Sequence, residues 1–90
     1  MAGAQDDLTG LLPLLEQPYG ESGLDAETAV RLVAHGLNAR SDWWANKALD
    51  WVDEGVVSPD IALALRRTAH DKRYSQQTRH RAWRYVTSDW

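Results

Sequence analysis

Asp25-x-x-x-Ala29-Val30-Arg31-x-x-Ala34-His35 recurs as Asp60-x-x-x-Ala64-Leu65-Arg66-x-x-Ala69-His70, 35 residues further on. The stretches that follow also match: Ser41…Lys47-Ala48-Leu49-x-x-Val52 against Ser75…Arg81-Ala82-Trp83-x-x-Val86, now 34 residues apart, so one residue is lost in the connection between. A period in the thirties is the mark of stacked helical hairpins, each unit burying a face only against its neighbour. The repeat-like units span about residues 25–57 and 60–90. The pattern speaks to architecture before function, since no constellation of residues in it names a reaction.

Working outward, the 90 residues make a single domain, with 43% apolar and 26% charged residues, ordinary for a globular chain. At this length folding buries about 60% of the unfolded surface, so stability is modest. Five Trp, three Tyr and no Phe are unusual. The absence of cysteine removes disulfides, thiolate chemistry and Cys-based zinc sites. Asp6 and Asp7 stand where a secretory leader would be basic, and no apolar run is long enough to cross a bilayer. The expectation is a cytoplasmic protein with no membrane partner. The net charge of −3 conceals an asymmetry: residues 1–60 carry 3 Lys/Arg against 11 Asp/Glu, residues 61–90 carry 7 against 2. Such polarity serves an acidic half holding a basic half, head-to-tail self-association, or a basic end meeting an anionic partner.

Residues 1–6 have little to pack and are expected to be loose or disordered. Leu8, Leu11, Leu12 and Leu15 share one helical face, although Gly10 and Pro13 predict a first helix that is short, kinked or late to start. Gln17 to Gly23 reads as a loop. A second helix is predicted from Asp25, or from Ser22 through the box Ser22-x-x-Asp25, to about Leu37, burying Ala26, Ala29, Val30, Val33 and Leu37. The third opens at Ser41 with Asp42 in its first turn and ends at Gly55. The fourth has Ser58 as N-cap and Pro59 at its first position, and its apolar residues point in most directions, as suits two-sided packing. The fifth starts at Ser75 and runs almost to the C-terminus. No strand is predicted. The fold class is all-α: five short helices packed as antiparallel helical hairpins.

Within the last helix, Thr78-Arg79-x-x-Ala82-x-x-x-Val86, preceded by Asp71 in the connecting turn, is similar to the first-helix pattern of HEAT and related α-solenoid repeats. The third helix keeps Ala48 and Val52 but has Ala45 where that family places Arg. The resemblance covers residues 25–90 and implies a binding scaffold. In it Arg79 bonds an acidic side chain or carbonyls in the adjoining turn, with Asp71 the natural mate. Tetratricopeptide repeats share the period, but their Trp-Leu-Gly-Tyr signature has no counterpart here.

Candidate binding residues are Trp43, Arg66, Arg67, Arg81 and Arg84. On a wheel of 100° per residue Trp43 lies opposite the apolar face of Trp44, Ala45, Ala48, Leu49, Trp51 and Val52, among Asn46, Lys47, Asp50, Asp53 and Glu54. It either anchors a partner or folds over a neighbouring loop or helix end. The other Trp residues are expected in the core. His80, Arg81, Arg84 and Gln77, with Arg66, Arg67, Lys72, Arg73 and the aromatics Tyr74, Trp83 and Tyr85, could follow a phosphate backbone. Equally, the cations could pair with Asp50, Asp53 and Glu54. His35 and His70 suit helix C-termini, and neither they nor the capping Ser41, Ser58 and Ser75 form a metal or nucleophile pattern. No Gly-rich phosphate loop is present. The reading is a non-catalytic protein-interaction module without a cofactor or metal: not an enzyme. Nucleic-acid binding by the basic C-terminal hairpin is the alternative, and self-association is possible.

Overall fold

The computed structural model describes residues 8–86, and these are helical with no strand among them. The expected looseness of residues 1–6, the last turn toward the C-terminus and Trp90 lie outside the described residues. Pro13 shapes the beginning. It sits inside a 3₁₀ segment, Thr9–Glu16, where the leucine spacing predicts an α-helix. Proline has no N–H to donate four residues back, and its ring meets the carbonyl there, so tighter turns take over. At three residues per turn Leu12 and Leu15 eclipse one another, and both are buried.

A single turn, α1 (Tyr19–Ser22), then forms inside the stretch predicted as loop. Pro18 precedes it, the Ser22 hydroxyl donates to the Tyr19 carbonyl at 2.7 Å, and Gly23, at φ 77°, ends it. The Ser22 oxygen also accepts from the Leu24 N–H, so Ser22 serves its own turn and does not cap the next helix. That helix, α2 (Ala26–Leu37), buries Ala29, Leu32, Val33, Gly36 and Leu37. The predicted stripe shifts: Ala26 is exposed and Val30 half-buried, while Leu32 and Gly36 are enclosed. The reason is that α2 has neighbours on several sides, touching the 3₁₀ segment and two later helices.

Ser41 caps α3 (Asp42–Asp53) by accepting from the Trp44 N–H. At the other end Gly55, at φ 107°, closes a Schellman motif: the Val56 N–H bonds the Trp51 carbonyl, and the Gly55 N–H bonds that of Val52. Val56 is buried there. The helix α4 (Pro59–His70) starts as predicted, the Ser58 hydroxyl accepting from the Ile61 N–H with Pro59 at the first position. In α5 (Gln76–Val86) the Ser75 hydroxyl accepts from the Thr78 N–H.

The closest associations are α4 with α5 and α2 with α3; α2 also meets α4, and α3 meets α5. Ala29 and Ala64, and likewise Ala48 and Ala82, are buried at matching positions of the two sequence units. Trp51 is fully enclosed, with its indole N–H donating to the Gln17 carbonyl at 2.8 Å and its ring tilted against Tyr19. Trp44 is half-buried against the core, and the expectation of core Trp residues is corrected at Trp83, which is 43% exposed with its ring edge-on to His70. Leu49, at the matching position of the earlier sequence stretch, is buried, because α3 has packed helices around it that α5, the last described helix, lacks on its outer side.

Candidate functional site

The outward face of α3 gathers most of the polar geometry. Trp43, in its first turn, is 55% exposed, yet its ring is fixed. The indole N–H donates to Glu16 Oε2 at 3.0 Å, and Lys47, one turn along, places its ammonium 4.7 Å from the ring centroid. The i, i+4 spacing puts Lys47 over Trp43, and the electron-rich ring face attracts the cation. Glu54 at the far end accepts from the Tyr19 N–H at 3.1 and 3.3 Å. Trp43 therefore leans over the neighbouring 3₁₀ segment and still presents about half of its surface.

On the other flank of α3, Arg81 reaches across from α5. One guanidinium nitrogen donates to the Asn46 side-chain oxygen (3.0 Å) and carbonyl (3.3 Å), the other to Asp50 (3.0 Å) and Asp53 (2.9 Å). The carboxylates are about half exposed and the arginine 26% exposed, so solvent screens much of the attraction and the fork geometry matters more than the charge. Asn46 completes the seam: its amide donates to the Asp42 carbonyl and to the buried Thr78 hydroxyl, both at 2.8 Å. Asp42 accepts from the Ser75 N–H at 3.0 Å, and that bond, joined by one from Thr78, holds its carboxyl below the usual range.

The five candidates thus occupy different places. Trp43 and Arg81 border the same face of α3, Arg81 being engaged with acidic residues of this chain, as one of the two readings of the basic strip had it. Arg66 is exposed on α4. Arg84 is exposed on α5 and shares a shallow depression with Gln76, Gln77, His80 and Arg81. Arg67 lines a recess of about 530 Å³ between the connections that follow α2 and α4, in company with Arg40, Lys72 and Arg73. Arg79 donates from Nε to the Tyr74 carbonyl at 3.2 Å. Asp71 is not its mate: Arg73 binds that carboxylate through Nε, Nη2 and its backbone N–H, holding its pKa below the usual range. A residue two positions away reaches this half-buried Asp at less entropic cost than one on the next helix.

Sequence reading missed Glu16, Asn46 and Tyr74. Tyr74, placed among exposed basic residues as a stacking surface, is 4% exposed; its hydroxyl accepts from the Arg40 N–H at 2.9 Å and donates to the Leu37 carbonyl. Burial pushes its phenol up. The local run Asp71-x-x-Tyr74-Ser75 marks only a turn followed by a cap, and the burial of the ring follows from Leu37 and Arg40, more than thirty residues away. Among the described residues no group of three or more His, Asp or Glu is placed to hold a metal. No family model, curated protein or solved structure matches the chain.

Proposed function

We propose that the chain is a non-catalytic protein-interaction module, its helices stacked as two antiparallel hairpins in a HEAT-like manner, meeting its partner with the Trp43 end of α3. The stack is supported by the order of contacts, in which α2 lies on α4 and α3 on α5, one unit apart in sequence. The observation that carries the binding role is an exposed Trp already held by Glu16 and Lys47. Tryptophan dominates interface energetics, and a ring fixed beforehand gives up less freedom when a partner covers it.

The non-catalytic reading is supported by the structural duties of the polar groups: Ser41, Ser58 and Ser75 accept from helix N–H groups, Asp42 accepts from the Ser75 N–H, and Asp71 is held by Arg73. Nucleic-acid binding loses support because Arg81, central to the basic strip, is bonded to Asp50 and Asp53.

The test is affinity capture from lysate of the source organism, with and without nuclease, comparing wild type with Trp43→Ala and Arg84→Glu. A nuclease-resistant protein lost with Trp43→Ala and kept with Arg84→Glu is the expected result. Retention that ignores Trp43, or that disappears with nuclease, overturns the proposal.

A further inference from the structure

Four cations line the recess between the α2–α3 and α4–α5 connections: Arg40, Arg67, Lys72 and Arg73, with Asp71 the one carboxylate in its wall. Asp71 is already occupied by Arg73. Arg40 also acts on that carboxylate through its charge, while Arg67 and Lys72 form no ion pair among the described residues. The ordinary use of cations at helix C-termini is to meet the terminal carbonyls. Here the Leu37 carbonyl, at the end of α2, is taken by the Thr68 and Tyr74 hydroxyls instead. The other acid beside Tyr74, Asp42, is bonded to Ser75.

A second observation falls in the same place. Arg40 has φ 60°, the left-handed region, and is the one non-glycine residue there among the described residues. A side chain in that region is disfavoured, because its Cβ crowds the following carbonyl oxygen. The conformation directs the Arg40 N–H to the Tyr74 hydroxyl, so a locally unfavourable backbone is held by a buried phenol from the next unit. Strain maintained in this way is concentrated at ligand clamps.

We infer that this recess binds a phosphorylated side chain of a protein partner. The inference rests on the protein-binding reading for its choice of a peptide as carrier. A phosphoryl group brings up to two negative charges and three strong acceptor oxygens, a match for several cations lining one recess that one carboxylate would leave partly unused. The recess lies within the size range of ligand sites, with room for the residues flanking the phosphate. A nucleic-acid strand fits less well, since it needs a continuous cationic track and α5 turns Arg81 inward to Asp50 and Asp53.

The experiment uses the whole chain immobilised and two peptide libraries degenerate around a central position, phosphoserine in one and serine in the other. A labelled oligothymidylate runs in parallel. The expected result is at least tenfold preferential retention of the phosphorylated library, lost in Arg67→Glu and in Lys72→Glu and kept in Arg66→Glu, which lies on α4 outside the recess. Circular dichroism of each variant secures its fold. Equal retention of the two libraries overturns the inference, as does phosphopeptide retention indifferent to Arg67 and Lys72. Tighter retention of the oligonucleotide, lost also with Arg84→Glu, assigns the cations to nucleic acid. Trp43→Ala separates this site from the general reading: it removes the lysate partner if that reading holds and leaves library binding unchanged.

Discussion

The hydroxyl of Tyr74 donates to the carbonyl of Leu37, joining the turn before α5 to the last residue of α2 across 37 positions of sequence. The same oxygen accepts from the Arg40 N–H. One buried phenol thus ties the α2–α3 connection to the α4–α5 connection.

Tyr74→Phe keeps the ring and removes both bonds, leaving the Arg40 N–H without its acceptor. The expected loss is about 1–3 kcal/mol, read from urea denaturation at neutral pH. The alkaline limb carries a further signature. Burial raises the phenol's pKa in the folded state, so its contribution is intact below the unfolded value, near ~10, and is lost as pH rises through the folded one. The variant lacks this component, and the gap between the two proteins should narrow above about pH 10. A gap that stays constant into that range would remove Tyr74 as the titrating group.

Asp42 supplies the opposite limb. Its folded-state pKa is depressed, first by the Ser75 N–H, so its contribution is present above the unfolded value and lost as pH falls through the folded one. Asp42→Ala should cost below about 1 kcal/mol at pH 7, since the carboxylate is exposed, and the difference should close at pH values under ~4. Thermal melts at pH 7 and at about pH 2.5 make the comparison.

Gly36 tests the approach of α2 to α3. A Cβ there would lie 2.8 Å from Leu15 Cδ1, 3.2 Å from the Ala48 Cβ and 3.3 Å from the Trp44 carbonyl oxygen. Leu15 is enclosed and the other two belong to a packed helix, so none can yield freely. Gly36→Ala should therefore destabilise by about 1–3 kcal/mol, against the roughly 1 kcal/mol that alanine gains in an open helix. A more stable variant would mean that α2 and α3 separate easily.

Arg81→Ala should cost about 1 kcal/mol and make the protein less sensitive to salt, because the forked link to Asp50 and Asp53 is lost. A double-mutant cycle with Asp50→Ala isolates the pair. Coupling indistinguishable from zero would reduce the bridge to packing alone.

Helix starts and stops were legible because they are local chemistry. Ser41, Ser58, Pro59 and Gly55 act where they stand, and each does what its side chain or lack of one dictates. The beginning of the chain was less so. Leucine spacing suggested an α-helix, and only Pro13 and Gly10 hinted at the 3₁₀ winding that occurs. The errors at Trp83 and Tyr74 have one cause. Their local patterns fit either environment, and the choice depends on a neighbour more than thirty residues away, or on its absence. Of the candidate surface, Trp43 could be placed on the outward face of α3 from the wheel alone. The recess could not, because it arises only when two connections of similar composition are brought side by side.

The stretch from the 3₁₀ segment through α1 is fastened to α3 at three points: Glu16 to Trp43, the Gln17 carbonyl to Trp51, and the Tyr19 N–H to Glu54. One of those fasteners is the indole of a tryptophan with no exposed surface. If the stretch peels away while the four longer helices hold, that indole meets water and its emission shifts to the red before helical ellipticity falls. In Trp51 the chain thus carries an optical reporter, able to time the departure of residues 9–22 separately from global unfolding.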